Sequence, residues 1–270
     1  MTKSYSSRIG AMRLIARLDI KSDKLIKTIK LEGVQHIGDP GIVAKKYYEQ
    51  GIDEILLLDT VASLYGRNHL VDVIKYVSSN TYIPITVGGG IRSIEDVESI
   101  LSVGGDKIAI NTAVIKNPVL ISDLAKNFGS QCIVLQVDAK FICEGKWEPY
   151  TDGGRERTYL DVIDWVKKGY EMGAGEILLT SIDREGTCKG LDLGLCNVVS
   201  KSVPIPVIAS GGVGSIEDVI QGSKNSNVDA IAMSDLLNVK KINIKEIKDR
   251  CAEKGIEIRK VANENSYNRL

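Results

Sequence analysis

The feature of this sequence that most constrains its fold is a strand–glycine–helix segment that occurs twice. Residues 83–91 read Ile-Pro-Ile-Thr-Val-Gly-Gly-Gly-Ile, and residues 205–213, 122 positions later, read Ile-Pro-Val-Ile-Ala-Ser-Gly-Gly-Val. In both copies a run rich in β-branched residues ends in glycines, and an amphipathic helical pattern follows. Such a turn lets the backbone approach a ligand beside a helix N-terminus. One phosphate-type loop would be a weak signal, but two copies at a fixed spacing are a strong one.

The repeat extends through both halves of the chain. Further matches pair residues 51–59 with 173–181, residues 106–111 with 229–234 after one insertion, and Asp19 with Asp138. Each half therefore holds four apolar strand candidates separated by helix-length segments, which predicts a parallel sheet. Eight parallel strands close most readily as a (β/α)8 TIM barrel of about 250 residues, here built from two half-barrels. An open doubly wound sheet is the alternative, and the internal repeat favours closure.

Length and composition indicate one large domain. We expect a single barrel over residues 13–260, an N-terminal extension at 1–12 and a flexible tail at 261–270. Lysine and arginine together number 35, as do aspartate and glutamate. The chain therefore has no net charge that would favour binding to nucleic acid or to a membrane surface. No apolar run approaches the roughly 20 residues that span a bilayer. The polar first twelve residues do not resemble a secretory signal.

The cysteines and histidines do not indicate a metal site or a bound cofactor. The five cysteines form no Cys-x-x-Cys pair and are interpreted as reduced thiols of a cytoplasmic protein. Only two histidines are present, too few for a histidine-rich metal site. We therefore expect no metal and no cofactor, and we assign acid–base chemistry to carboxylates.

Two aspartates are the candidates for that chemistry. Asp19 ends the first predicted strand and Asp138 ends the fifth. Carboxylates at these positions should point into the mouth of the barrel, the end formed by the C-terminal ends of its strands. With one protonated and one ionised, the pair can serve as general acid and general base. A capping or turn role is the alternative for Asp19.

The two glycine loops predict two phosphate cradles on opposite sides of the mouth. The first cradle comprises Gly89, Gly90, Asn111 and Thr112, and the second comprises Gly186, Thr187, Gly211, Gly212 and Ser234. In each, backbone N–H groups and the positive end of a helix would hold one phosphate. The second cradle follows strands seven and eight, where barrels often bind phosphate. A substrate with phosphate at both ends is therefore expected.

Two long segments that follow predicted strands are expected at the rim of the mouth. Residues 21–40 alternate basic and apolar residues, as expected of a mobile hairpin over a phosphorylated substrate. Lys27 is its candidate ligand-facing base, and a solvated lysine is the alternative. Residues 140–158 predict a second hairpin that turns at Gly145 and packs through Trp147 and Tyr150.

Several motifs resemble one known family. They are Leu-Asp at 18–19, Val-Gly-Gly-Gly-Ile at 87–91, Asp-Lys-Ile-Ala-Ile-Asn-Thr at 106–112, Phe-Gly-Ser-Gln at 128–131, Gly-Ala-Gly-Glu-Ile-Leu-Leu-Thr-Ser at 173–181 and Ile-Ala-Ser-Gly-Gly at 208–212. From about Arg13 to Arg259 the chain resembles the cyclase subunit of imidazole glycerol phosphate synthase. The related phosphoribosyl-formimino isomerase of histidine synthesis is the sister family, and the motifs at 128–131 and 173–177 favour the cyclase.

The resemblance implies an ammonia-dependent lyase. Its substrate would be phosphoribulosyl-formimino aminoimidazole carboxamide ribotide, a molecule with two phosphates. Its products would be imidazole glycerol phosphate and aminoimidazole carboxamide ribotide. By the motif match, Asp19 and Asp138 would be the acid–base pair. Ammonia would come from a separate glutaminase subunit, which would form a heterodimer with the barrel at its N-terminal face.

Four charged residues match the ring that gates ammonia in the family: Arg13, Glu54, Lys107 and Glu176. In the sequence alone they begin predicted strands one, two, four and six, at the end opposite the mouth. Buried charges at that end must pair to offset their desolvation. A purely structural salt-bridge plug is the alternative.

The chain also departs from the family pattern at its mouth. Where the family has Cys-Leu-Asp, this chain has Arg-Leu-Asp at 17–19, and where the family has Asp-Gly-Arg, it has Ser-Asp-Lys at 22–24. Where the family has Asp-Arg-Asp-Gly-Thr, this chain has Asp-Arg-Glu-Gly-Thr at 183–187. Where the family has Ala-Ser-x-Phe-His, this chain has Met-Ser-Asp-Leu-Leu at 233–237. These changes spare both aspartates but alter loops that recognise substrate. They resemble paralogues encoded with surface-polysaccharide genes, which are thought to amidinate an acetamido sugar. That activity, and a non-catalytic scaffold for the glutaminase, are the alternatives to the cyclase.

Overall fold

The computed structural model describes residues 10–60 and 70–259, and at residues 33 and 34 the backbone alone. Its strands are Arg13–Lys21 (β1), Lys24–Ile29 (β2), Glu32–Gly38 (β3), Glu54–Asp59 (β4), Ile85–Gly88 (β5), Lys107–Ile110 (β6), Ile133–Cys143 (β7), Lys146–Thr151 (β8), Glu156–Arg157 (β9), Glu176–Ser181 (β10), Val207–Ser210 (β11) and Ala230–Met233 (β12). Its α-helices are Pro40–Glu49 (α1), Val71–Asn80 (α2), Ile94–Ser102 (α3), Thr112–Lys116 (α4), Val119–Phe128 (α5), Val162–Glu171 (α6), Leu193–Ser202 (α7), Ile216–Asn225 (α8), Asp235–Asn238 (α9) and Ile244–Glu253 (α10).

Eight of these strands form a closed parallel barrel. They follow one another around the ring as β1, β4, β5, β6, β7, β10, β11 and β12. The ring closes where β12 pairs with β1, with Arg13 opposite Ala230. Helices connect and surround the strands, so the predicted (β/α)8 barrel is confirmed.

The internal repeat is visible in how equivalent helices begin. Ser93 caps α3 by accepting a hydrogen bond from the amide of Asp96, and Ser215 caps α8 in the same way through Asp218. Both serines follow a glycine loop that ends a barrel strand. Because a serine oxygen replaces a missing helical partner, each cap fixes a helix N-terminus beside the mouth.

Alternation of side chains along β1 separates the inside of the barrel from the outside. Leu14, Ala16 and Leu18 belong to the apolar core between the barrel and its helices, whereas Ile15 belongs to the barrel interior. The interior apolar layer consists of Ile15, Leu56, Leu58, Ala109, Val134, Leu178, Ile208, Ala230 and Ala232. Because strand side chains alternate with a period of two, Arg13, Arg17 and Asp19 face the same interior as Ile15. The apolar layer therefore separates charged groups at the N-terminal end from those at the mouth.

Both predicted hairpins are confirmed. Strands β2 and β3 pair antiparallel, and β2 also pairs with the end of β1. The second hairpin is formed by β7 and β8 and turns at Gly145, whose φ is 74°. Trp147 is buried there, stacks edge-on against Phe141, and donates from Nε1 to Asp192 at 3.0 Å. These hairpins extend the barrel wall on the mouth side.

The first and last described segments of the chain meet at the opposite side of the barrel. The amide of Met12 donates to the carbonyl of Glu257 at 2.8 Å, and Met12 forms a parallel bridge with Ile258. Met12, the last residue of the expected N-terminal extension, therefore contacts residues of the expected barrel domain. The expected tail at 261–270 lies outside the described residues, as do residues 61–69 of the loop after β4. In the described part of the chain, no helix is both long and apolar enough to cross a bilayer.

Candidate active site

Both candidate catalytic aspartates lie in the mouth of the barrel. Asp19 is near the C-terminal end of β1, and Asp138 lies midway along the extended β7, opposite Thr180 of β10. Asp19 is 1% exposed and Asp138 is 4% exposed. Ionised carboxylates so deeply buried need compensating partners. Those partners are different for the two residues.

Asp19 is held by Arg17, which lies two residues earlier on the same strand. Arg17 Nε donates to Asp19 Oδ1 at 2.9 Å, and its Nη1 donates to Ser210 at 2.8 Å and Glu185 at 3.2 Å. Burial by itself would lower the pKa of Arg17, but Asp19 and Glu185 outweigh burial and raise that pKa. The guanidinium is therefore a permanent positive charge within the mouth.

Asp138 is held mainly by neutral amides. Gln136 Nε2 lies 3.2 Å from Asp138 Oδ2, and Asn111 Nδ2 donates to the same oxygen at 3.0 Å. Burial raises the pKa of Asp138, and the charge of Arg17 opposes that rise only in part. Protonation of Asp138 is thus favoured by its surroundings, as suits a proton donor.

A third carboxylate, Glu185, belongs to this cluster. Its side chain is buried and bonded to Arg17, and burial raises its pKa to about 7 despite that partner. Sequence reasoning treated Arg17 and Glu185 as departures from a family pattern and did not place them in the site. Strand periodicity gives one clue, because a residue two positions before an inward-facing aspartate also faces inward.

The first cradle opens onto a cavity of about 190 Å³. Gly89 has a φ of 100°, and a Cβ there would lie 2.2 Å from the carbonyl oxygen of Asp59, so only glycine fits. Gly90, Asn111 and Thr112 line the same cavity, together with Arg17 and Asp138. The predicted residues of this cradle are therefore brought together beside Asp138.

Asn111 differs from expectation in one respect. Its Nδ2 donates to both Asp138 and the carbonyl oxygen of Tyr150, and its Oδ1 is buried without a hydrogen-bond partner. The side chain therefore has a free acceptor, and its amide donor is already used within the protein. Thr112 begins α4, and its Oγ1 accepts from the amide of Asp152 at 3.0 Å.

The second cradle is assembled, and the β2–β3 hairpin and Gly190 pack against its glycines. The amide of Gly190 donates to the carbonyl of Gly212 at 2.8 Å. A Cβ on Gly186 would lie 2.4 Å from the carbonyl oxygen of Thr28, so the β2–β3 hairpin rests directly on this loop. The other members also have partners within the chain: Thr187 donates to the carbonyl of Arg184, and Ser234 accepts from Asn238.

Lys27 lies over this second cradle. Its Nζ forms an ion pair with Asp235 Oδ1 at 3.0 Å, and one fifth of its side chain is exposed. The predicted solvated alternative therefore does not describe it. Lys27 is available to a ligand only in competition with Asp235, the residue that follows Ser234.

The four charged residues predicted at the N-terminal end form a closed ring. Arg13 contacts Glu54 and Glu176 at 2.6 Å each, and Lys107 contacts them at 3.2 and 2.9 Å. Both glutamates are buried, so each cation neutralises part of both carboxylates. Among the described residues, including this ring, no group of three or more His, Cys, Asp or Glu side chains has the arrangement of a metal site.

Comparison with known proteins agrees with this architecture. A family model described as "Histidine biosynthesis protein" matches residues 13–243, most of the chain. The chain belongs to this family. The protein named imidazole glycerol phosphate synthase subunit HisF from Legionella pneumophila is 59% identical over 207 residues, covering 77% of this chain and 98% of that relative. The protein of the same name from Bacillus cereus (strain G9842) is 42% identical over 249 residues, covering 92% and 99%. The resemblance inferred from the motifs is confirmed.

Proposed function

We propose that this protein is the cyclase subunit of an imidazole glycerol phosphate synthase. It uses ammonia to convert phosphoribulosyl-formimino aminoimidazole carboxamide ribotide to imidazole glycerol phosphate and aminoimidazole carboxamide ribotide. Family membership and the names of the two relatives support this assignment. The observation that carries it is the pair of buried carboxylates, Asp19 and Asp138, in one mouth beside a glycine cradle.

The unlike surroundings of the two aspartates suit unlike roles. Asp19 accepts a charge-assisted hydrogen bond from Arg17 and is assigned as the general base. Burial raises the pKa of Asp138, which is assigned as the general acid. Ammonia adds to the ketone carbon of the ribulosyl chain, and the carbonyl oxygen leaves as water. The new nitrogen centre must lose a proton, which Asp19 accepts, and it then closes the ring on the formimino carbon as the bond from that carbon to the aminoimidazole nitrogen breaks. The departing aminoimidazole nitrogen must gain a proton, which Asp138 donates.

The source of ammonia in this proposal is a glutaminase subunit bound at the N-terminal end of the barrel. A groove of about 1320 Å³ lies there, with Arg13, Lys107 and Glu176 of the charged ring along its wall. Between the ring and the mouth lies the apolar layer of the barrel interior. Neutral ammonia crosses such a layer at far lower cost than ammonium, because a charge loses its hydration there. The ring is proposed as the gate, and the cytoplasmic location expected from the sequence belongs to the same proposal.

Turnover with free ammonium tests the assignment without the partner. Purified protein should convert the ribotide substrate at alkaline pH, where more of the ammonium is present as ammonia. Asp19→Asn and Asp138→Asn should each lower kcat by about 100-fold or more, because each removes a proton-transfer group. Product formation is followed by absorbance or chromatography at saturating substrate.

Asp249→Asn is the matched control. Asp249 pairs with Lys245 at 3.0 Å on the exposed surface of α10, and this variant should retain kcat. Thermal unfolding of each variant checks that the fold is intact. A folded wild-type protein without turnover would exclude the cyclase assignment. Full turnover in either aspartate variant would exclude that residue from the chemistry, and full turnover in both would favour a scaffold role.

One observation favours a second candidate function. The carboxylate of Asp235 lies in the second cradle, where a doubly phosphorylated substrate would place a phosphate. Amidination of an acetamido sugar with channelled ammonia would need no phosphate at that point. The same variants distinguish the candidates when an acetamido sugar nucleotide replaces the ribotide in the assay.

A further inference from the structure

The guanidinium of Arg17 has one nitrogen that is not engaged within the described part of the protein. Its Nε donates to Asp19 at 2.9 Å, and its Nη1 donates to Ser210 at 2.8 Å and to Glu185 at 3.2 Å. Among the described residues, Nη2 has no hydrogen-bond partner, yet it is not sealed within the protein. Arg17 lines the cavity of the mouth. Nη2 is therefore the nitrogen that faces the cavity and can donate to a ligand.

The partners of Arg17 hold this nitrogen in one position. They lie on three parts of the barrel, with Asp19 on β1, Ser210 at the end of β11 and Glu185 in the loop after β10. The side chain of Arg17 is only 3% exposed, so packing restricts it as well. Because the guanidinium is planar, holding two of its nitrogens fixes the direction of the third. Nη2 thus needs little reorganisation before it donates to a substrate atom.

Arg17 also occupies a defined level of the barrel interior. Ile15, two residues earlier on β1, belongs to the apolar layer, and Asp19 lies two residues later, nearer the C-terminal end of the strand. Because inward-facing side chains alternate along a strand, Arg17 is the first charged group on β1 above that layer. Ammonia that crosses the layer, as in the proposed function, arrives beside Arg17 and Asp19. The carbon that ammonia attacks must lie at the same level.

The other half of the barrel has no cation at the equivalent position. Gln136 stands two residues before Asp138, as Arg17 stands two residues before Asp19. Gln136 lines the same cavity, but its amide is neutral and is directed at Asp138. Negative charge that develops on a substrate oxygen is therefore stabilised better on the Arg17 side. Arg17 and Asp19 together provide a donor for an oxygen and an acceptor for a proton.

A purely structural ion pair has a different arrangement in this chain. Lys248 Nζ lies 2.7 Å from Asp53 Oδ1, and the other oxygen of Asp53 accepts from the amide of Leu14. Neither Lys248 nor Asp53 lines the cavity of the mouth. Arg17 is equally well paired with carboxylates but opens onto the cavity, so pairing alone does not account for its position.

We propose that Arg17 donates from Nη2 to the substrate carbonyl oxygen at the carbon that ammonia attacks. The inference rests on the proposed function and adds a residue to its chemistry. As the lone pair of ammonia forms the C–N bond, the π electrons of the ketone move onto its oxygen. The guanidinium stabilises that charge without losing a proton. Asp19 then carries two protons in turn from the new nitrogen to the oxygen, which leaves as water and leaves a C=N bond.

Ammonium-dependent turnover of the ribotide tests the role of Arg17 in the chemistry. Arg17→Lys keeps the charge that Asp19 and Glu185 need but loses the planar fork that presents Nη2. We expect kcat to fall by about 100-fold with less than about a threefold change in KM, because the donor acts on charge that develops in the transition state. Lys248→Met removes another buried cation and should lower thermal stability but retain kcat.

Binding of an oxyanion analogue tests the contact without turnover. The analogue 4-phosphoerythronate has a carboxylate at the place of the ketone carbon of the ribulosyl chain, and erythritol 4-phosphate has a neutral hydroxyl group there. Isothermal titration gives the ratio of their affinities. That ratio should fall by about tenfold in Arg17→Lys and in Arg17→Met, because a charge-assisted hydrogen bond to the carboxylate is lost. It should stay unchanged in Lys248→Met.

An Arg17→Lys variant that keeps either the kcat or the affinity ratio of wild type would overturn the proposal. An equal loss of kcat in Lys248→Met would also overturn it, as would failure of wild type to bind 4-phosphoerythronate. The two proposals can fail separately. Wild type without turnover, together with a ratio that falls in both Arg17 variants, contradicts the proposed function and retains the contact of Nη2 with a ligand oxygen. Wild-type turnover that Arg17→Lys matches contradicts this inference alone.

Discussion

Positions related by the internal repeat have the same role at the N-terminal end of the barrel and different roles at its mouth. At the N-terminal end, Glu54 and Glu176 stand 122 positions apart and have the same partners, Arg13 and Lys107. Their distances to Arg13 are both 2.6 Å. The duplicated positions therefore keep one role, in which two carboxylates share two cations.

At the mouth the duplicated positions have diverged. Asp19 and Asp138 are equivalent, but an arginine holds the first and neutral amides hold the second. The equivalents Thr112 and Asp235 differ in the same way, since one is a donor and the other an anion. Two equivalent carboxylates can share two cations, so a ring of ion pairs is compatible with equivalent positions. A general acid and a general base need two different environments. The two halves thus share one backbone arrangement, and the side chains near the mouth make their environments different.

The largest expected effect comes from removing the charge that makes the mouth asymmetric. Arg17→Met leaves Asp19 and Glu185 buried without their cation and should cost about 3–5 kcal/mol of unfolding free energy at neutral pH. Burial raises the pKa of Glu185 to about 7, so protonation in the folded state relieves its share of this cost as pH falls. Denaturant unfolding should therefore reveal a smaller loss at pH 5 than at pH 8.

Gln136→Met is the equivalent change in the other half of the barrel. Gln136 is neutral, so its loss should cost only about 1 kcal/mol, with little dependence on pH. Equal losses in the two variants would contradict the asymmetry of the mouth.

A smaller and matched pair of effects is expected at the N-terminal end. Glu54→Gln and Glu176→Gln each weaken the contacts with Arg13 and Lys107, and each should cost about 1–3 kcal/mol because a buried charged network is disrupted. Since the two positions are equivalent, the two losses should agree within about 0.5 kcal/mol. Thermal or denaturant unfolding measures both.

Glu98→Gln, on the exposed face of α3, is the control and should leave stability unchanged. A difference of several kcal/mol between Glu54→Gln and Glu176→Gln would contradict the symmetry of the ring. If the ring gates ammonia, both variants should also lower glutamine-dependent turnover more than ammonium-dependent turnover.

The smallest expected effect compares one hydroxyl in each predicted cradle. Thr112→Val should weaken binding of a sugar monophosphate by about tenfold, because a donor that lines the cavity is lost. Thr187→Val should change that affinity by less than about twofold, because Thr187 donates to the carbonyl of Arg184 and does not line the cavity. Titration calorimetry measures both, and an equal loss in the two variants would contradict the difference between the cradles.

The sequence was sufficient for the architecture and for the positions of the main charged residues. Repeat spacing predicted the eight strands, and their positions at the ends of predicted strands placed Asp19 and Asp138 at the mouth. The same reasoning placed Glu54 and Glu176 at the opposite end. These features follow from local rules, namely where each strand begins and ends and the repetition of one supersecondary unit, which a linear sequence contains in full.

Only the tertiary structure decided which side chains are partners across the mouth. Arg17 reaches Glu185 and Ser210, which lie 168 and 193 positions away, and Lys27 meets Asp235. Residue spacing cannot predict such contacts, because they depend on which charges the closed barrel brings together and on how fully it removes their water. The duplicated glycine loops therefore determined where two cradles would lie, and the tertiary structure decided that the cavity beside Asp138 is lined by the first.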